Sequence, residues 1–255
     1  CDSQRFLHKP SEKRLCWLVI TTLFPKNHAR LLCKGLFLQC FTIKQGCTKV
    51  KEPFANFVEA ELNPNILLIM CGLPGTWKTE TSQEISKIMG IPILRTDLIR
   101  LEVLKNEDVF SEKVASSMAK REMVYDEMFQ RAEDLVKKGG GVILDATFVT
   151  QKLRRRAAEI AAEYKIPLVV LQTSCSEEAS IARILRRNKE KYESNALTRQ
   201  AYLNNKKRFE PVDLDDLKKR NLHLKIVHLT VDTEYDDPED WYIIGKEVRF
   251  SVLAE

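Results

Sequence analysis

The chain has 255 residues, 44% hydrophobic and 30% charged, enough for one α/β domain with a sizeable core plus an extra segment. Its net charge of +5 is uneven, because residues 1–60 hold 10 Lys+Arg against 4 Asp+Glu and leave 31 against 32 for the rest. That near-neutral body argues against a long nucleic-acid footprint, and the longest early apolar stretch, Leu15–Phe24, is half the roughly 20 residues a membrane span needs.

In chain order, residues 1–60 come first and show neither a helical nor a strand period over the apolar runs Leu15–Phe24 and Leu31–Phe41. Two readings stand: an appended helical element, or a stretch of 1–50 that is not native coding sequence. The abrupt change near Lys51–Asn65 favours the second. The expected domain is therefore 61–255. Ile66–Cys71, an apolar run between Pro64 and Gly72, predicts a buried parallel strand. Thr79–Met89 predicts a helix with Ile85, Ile88 and Met89 on one face and Gly90 as its stop.

Ile91–Arg95 reads as a second strand and Asp97–Leu104 as a short helix. Val114, Met118, Tyr125, Met128, Phe129, Ala132, Leu135 and Val136 mark a long amphipathic helix that ends at Lys137, Lys138 and glycines 139–141. Val142–Asp145 is the third strand, Gln151–Tyr164 a helix, and Pro167–Gln172 the fourth strand. Glu177–Lys189 and Ala196–Phe209 read as helices and Leu224–Val231 as the fifth strand. Strands alternating with helices predict an α/β fold, a three-layer α/β/α sandwich on a five-stranded parallel sheet.

The chemistry concentrates in Gly72-Leu73-Pro74-Gly75-Thr76-Trp77-Lys78-Thr79, between a strand and a helix. Loop amides and the helix N-terminus offer partial positive charge to a polyphosphate. Lys78 would reach its terminal phosphates and Thr79 would place a hydroxyl on Mg²⁺. Trp77 stands where the pattern has a second glycine. A positive φ there costs about 1–2 kcal/mol for a non-glycine residue, and the ring is expected beside the phosphates. The bland alternative is a Gly-Pro-Gly turn with a solvated lysine. Asp145, closing an apolar strand, is the candidate second Mg²⁺ ligand. Strands also end in Asp because Asp starts turns.

Five of the seven cysteines lie in the first fifth and none forms a C-x-x-C pair, which argues against zinc and for a reduced, cytoplasmic protein. Cys71 and Cys175 read as core residues. His8, His28, His223 and His228 form no ligand spacing.

Four segments together resemble the P-loop kinases of the AAA, zeta-toxin-like and polynucleotide-kinase-like branch. They are Cys71–Thr79, Arg95–Arg100, Val142–Phe148 and Arg183–Arg187, in that order within about 64–235. The resemblance implies ATP and Mg²⁺ as cofactors, the loop strand at the sheet centre and the Asp145 strand beside it. It implies Asp97 as general base on an acceptor hydroxyl and Arg100 steadying the acceptor or a phosphate. The competing reading makes Asp97 a helix N-cap. A basic lid over 177–210 is implied, with Arg183 and Arg187 on one helical face and Arg186 as a spare, against the reading of a solvated basic face. Of Arg154, Arg155 and Arg156, Arg155 best fits an acceptor contact, with surface solvation for the other two; Thr147 joins the pocket. The expected activity is transfer of the ATP γ-phosphate to a hydroxyl of a small-molecule acceptor. The alternatives are a 5′-hydroxyl polynucleotide or nucleotide-sugar kinase, or an ATP-binding switch without transfer. A nucleic-acid partner is not favoured, and no membrane partner is expected.

Overall fold

The computed structural model describes residues 41–109, 114, 117–187 and 197–253. Leu15–Phe24, the apolar run up to residue 40 and the ends of the expected helices at 188–189 and 196 lie outside the described residues. One compact unit spans Thr42–Val252. The boundary expected at 61 therefore falls inside it. Strand β1 (Phe41–Pro53) joins the sheet, and helix α1 (Phe54–Glu61) buries Phe54, Phe57 and Val58. Phe54 packs edge-on to Trp241, ring centroids 5.8 Å apart, and its amide donates to the Trp241 carbonyl at 2.9 Å.

The central run matches its expected order. Strand β2 (Leu67–Cys71) is wholly buried and leads through the glycine-rich loop into α2 (Lys78–Met89). Next come β3 (Ile93–Arg95), α3 (Thr96–Val103) and α4 (Met118–Val136). The buried strand β4 (Val142–Asp145), α5 (Gln151–Glu163), β5 (Leu168–Ser174) and α6 (Glu177–Arg187) follow. Two further helices, α7 (Arg199–Arg208) and α8 (Leu214–Arg220), precede β6 (Ile226–Asp232) and β7 (Tyr242–Leu253).

The sheet order is β1-β7-β6-β5-β2-β4-β3. Five parallel strands, β3-β4-β2-β5-β6, form the expected core with β2 central and β4 beside it. The sheet has seven strands rather than five, because β7 pairs antiparallel with β6 and β1 lies beyond it. One face packs against α4 and α5 through Met128, Phe129, Ala157 and Ala161. The other packs against α1 and α2 through Phe57, Val58 and Ile85. The chain thus runs helix-side to helix-side around β2, with β4 and β5 on either hand. The crevice at the carboxyl ends of those strands is where such sheets place ligands. No helix among the described residues is long and apolar enough to cross a membrane.

Candidate active site

The loop after β2 is locked from behind. Gly72 and Gly75 have φ of 138° and 82°. A Cβ at Gly75 would collide with the Ser180 carbonyl of α6, and one at Gly72 would sit 2.8 Å from the Thr173 carbonyl of β5. Thr76 Oγ1 donates to the Leu73 carbonyl at 2.8 Å and lies 2.6 Å from Thr173 Oγ1. Thr233 Oγ1 donates to the Thr76 carbonyl at 3.1 Å. The loop is therefore tied to β5, α6 and the segment after β6.

Trp77 is left-handed, at φ 56° and ψ 33°, directly before the first residue of α2. The position does require the conformation that glycine adopts freely, and the chain keeps a bulky residue there. The reason is its surroundings. The indole lies 4.8 Å from the Arg183 guanidinium, and Nε1 donates to Asp236 Oδ1 at 3.2 Å. A cation over an indole face and a hydrogen bond offset the backbone strain.

Lys78 folds back so that Nζ donates to the Leu73 carbonyl at 2.6 Å. Thr79 Oγ1 donates to Asp145 Oδ2 at 2.8 Å. Loop and β4 strand thus converge as their order in the sequence implies. Asp145 is buried, and burial pushes its carboxyl up to about 6, with the Thr79 hydrogen bond and the Lys78 charge opposing and the Asp97 charge adding to the rise. Arg95, opposite Asp145 in the β3–β4 register, brings Nε to 3.6 Å from Asp145 Oδ2. The described residues contain no group of three His, Cys, Asp or Glu side chains able to hold a metal. Magnesium that also takes phosphate and water oxygens asks for only one or two protein oxygens, and the Thr79–Asp145 pair fits that demand.

Asp97 lies inside α3, one residue past its first turn's start, and the N-cap position belongs to Arg95. The capping alternative for Asp97 is thereby removed. Its Oδ1 pairs with Arg100 Nη1 at 3.0 Å. Its charge adds to the rise of the Asp145 carboxyl, so the two carboxylates lie near enough to interact.

Arg183 corrects the lid expectation. It is 2% exposed, and all five of its N–H groups meet an acceptor. Nε donates to Asp236 Oδ1 at 2.9 Å, and Nη1 donates to the Gly75 carbonyl and Cys175 Sγ at 3.3 Å each. Nη2 donates to the carbonyls of Thr233 at 2.9 Å and Glu234 at 2.8 Å. A side chain so engaged braces the loop rather than reaching over it. Arg186 is exposed and donates from Nη2 to Asp236 Oδ2 at 2.8 Å. Arg187 ends α6, and its side chain lies outside the described residues.

The three consecutive arginines also divide differently from expectation. Arg154 is fully buried, not solvated. It donates to the carbonyls of Pro211 and Glu210 at 3.0 and 2.7 Å and stacks 5.3 Å from the Phe209 ring centroid. Arg155 forms a two-pronged pair with Asp216 of α8 at 2.7 and 3.0 Å. Arg156 pairs with Asp126 at 2.6 Å and lies 4.4 Å from the Phe129 ring centroid. The Thr147 carbonyl accepts from the Gly72 amide at 3.4 Å, which sets Thr147 against the start of the loop. Cys71 and Cys175 are free thiols; Cys71 is buried and its thiol is pushed up by that burial.

A family model described as an AAA domain matches residues 67–212, which contain the loop, Asp97, Asp145 and α6. An uncharacterized protein of Mycobacterium tuberculosis and one of Mycobacterium bovis are each 27% identical over 126 residues, 48% of this chain and 25% of theirs. The chain thus spans about a quarter of the length of these curated relatives. Among solved structures, a sugar kinase from Janibacter sp. is 15% identical with a TM-score of 0.51, covering 69% of this chain and 89% of that one. A protein of Chloroflexus aurantiacus is 20% identical with a TM-score of 0.53, covering 70% and 92%. These likenesses are likenesses of fold.

Proposed function

The chain belongs to the AAA-domain family of P-loop proteins, and on that premise we propose that it is an ATP-dependent phosphotransferase acting on a small-molecule hydroxyl. The observation that carries the reading is Asp97. A site that only bound nucleotide would need the loop and the Thr79–Asp145 pair, but no second carboxylate near enough for its charge to act on Asp145.

In this reading the loop amides from Gly75 through Thr79 hold the triphosphate and Lys78 leaves the Leu73 carbonyl for its terminal phosphates. Thr79 and Asp145 hold Mg²⁺, which when bound neutralises charge on the phosphate oxygens. Asp97 accepts the acceptor's hydroxyl proton as the acceptor oxygen bonds to the γ-phosphorus and the bond to the bridging oxygen of ADP breaks. Arg100 holds Asp97 in place through its 3.0 Å contact. Because the transition state is loose, proton removal is late and an ordinary carboxylate suffices. Arg187 remains the lid arginine that the family pattern suggests. We assign the catalytic unit to 42–252 and place the protein in the cytoplasm on its cysteine usage.

The test is incubation of the full chain with γ-labelled ATP and a pool of cell metabolites. Label is expected on an organic acceptor, with none for Lys78→Ala. Asp97→Asn should bind ATP as the wild type does and lose transfer by about 100- to 10,000-fold. Label found only in free phosphate, or full transfer by Asp97→Asn, would overturn the assignment.

A further inference from the structure

A second cation besides Lys78 stands at Asp145. Arg95 closes β3, and the parallel pairing of β3 with β4 sets it opposite Asp145. Residues paired across a sheet project from the same face. The next residue fastens the same two strands, since Thr96 Oγ1 donates to the Asp145 carbonyl at 3.3 Å. The approach of this guanidinium to the carboxylate is therefore built into the sheet.

One oxygen meets both neighbours. Asp145 Oδ2 accepts from Thr79 Oγ1 at 2.8 Å and lies 3.6 Å from Arg95 Nε. The side chains of Arg95 and Asp145 are 19% and 6% exposed, so salt screens their interaction little. A guanidinium does not give up its proton in a protein, and its charge is permanent. Thr79 and Asp145 are the pair assigned to Mg²⁺. A divalent cation taken up by Oδ2 alone would meet the charge of Arg95 across a single carboxylate. Lys78 is near enough for its charge to act on Asp145 too. Such a group carries a surplus of positive charge in a place with little water to disperse it. The negative charges of a polyphosphate reverse that balance, and its oxygens suit the planar fork of a guanidinium.

We propose that Arg95 makes metal binding at Thr79 and Asp145 conditional on nucleotide: its guanidinium holds the carboxylate against a lone divalent cation and passes to the phosphate oxygens when metal and polyphosphate arrive together. The handover rests on the nucleotide half of the phosphotransferase reading. The exclusion of lone metal rests on Arg95 and Asp145 alone.

The experiment has two arms, both on the full chain. Mn²⁺, which takes the same oxygen ligands as Mg²⁺, is titrated without nucleotide and followed by the paramagnetic signal of the free ion. A non-hydrolysable ATP analogue is titrated calorimetrically in EDTA, without metal. Arg95→Gln is expected to bind lone Mn²⁺ about 10- to 100-fold more tightly than the wild type. It should bind the metal-free analogue about 10- to 100-fold more weakly. Adding Asp145→Asn to Arg95→Gln should abolish the gained Mn²⁺ site, which separates it from acidic surface residues. Arg95→Lys keeps the charge and should stay near wild type toward Mn²⁺. A side chain that only propped the fold would shift both arms the same way on removal. An Mn²⁺ affinity that Arg95→Gln leaves unchanged or lowers would overturn the exclusion, and unchanged analogue binding would overturn the handover. Melting curves verify folding. If Arg95→Gln does not fold, wild type and Asp145→Asn decide: an Mn²⁺ site in the nucleotide-free wild type that Asp145→Asn removes is what Arg95 should forbid, and no such site is the expected result. If the analogue binds no variant and not the wild type, even with Mg²⁺ restored, the nucleotide reading has failed, and the Mn²⁺ arm still reads the exclusion.

Discussion

Arg183→Met separates a brace from a lid. Met keeps most of the apolar stem and removes the guanidinium. The buried carbonyls of Gly75 and Thr233 and the partly buried one of Glu234 lose this donor, and Asp236 loses one of its two arginines. Each stranded buried acceptor costs about 1–3 kcal/mol. Because the acceptors share one donor and relax together, the total is expected at about 3–5 kcal/mol, below the sum of the separate costs. For a domain of this size that lowers the melting temperature by roughly 6–20 °C. ATP affinity should fall as well, since Gly75 is held by the same side chain. Thermal melting and equilibrium ATP titration of the pure variant measure both. A variant that melts within about 2 °C of wild type and binds ATP normally, yet transfers no phosphate, would show that Arg183 acts on the reacting phosphoryl group and that the bracing argument is wrong.

Two further outcomes are expected. Trp77→Gly relieves about 1–2 kcal/mol of left-handed strain but gives up the indole's contact with Arg183 and adds backbone freedom to the unfolded chain. Stability should change by no more than about 1 kcal/mol, and ATP should bind at least as tightly; a tenfold loss in an equilibrium titration would assign the indole to the nucleotide site. His228 is held down at about 4 by burial and by the Arg154 charge, against 6.5 for a free imidazole, although Glu247 Oε1 at 3.9 Å pulls the other way. The unfolded chain therefore binds more protons between these values, and stability falls as pH drops from about 6.5 to about 4, by up to roughly 3 kcal/mol. His228→Gln should flatten that acid limb when urea midpoints at pH 7 and 4.5 are compared, and an unchanged pH dependence would refute the assignment.

The elements that sequence alone determined share one property: their signals are local. Ile66–Cys71 and Val142–Asp145 are continuous apolar runs because parallel strands are buried on both faces, and the phosphate loop is a fixed spacing of residues whose backbone must turn sharply. From these came the parallel core, the order of its elements and the Thr79–Asp145 meeting. Strands β1, at the sheet edge, and β7, beside it, escaped because charged residues interrupt them: Lys44, Lys49 and Lys51 in the first, and Lys246, Glu247 and Arg249 in the second, mask any apolar period.

The arginines show where only tertiary structure decides. In sequence, Arg154, Arg155 and Arg156 are alike, as are Arg183 and Arg186. Packing alone puts Arg154 beneath Phe209, surrounds Arg183 with carbonyls from the phosphate loop and the segment after β6, and leaves Arg186 in solvent. A guanidinium's role depends on which acceptors the fold brings to it, and those acceptors lie 50 and 108 residues away for Arg183. No local spacing encodes that distance, so the residue types are written in the sequence while their partners are set by the fold.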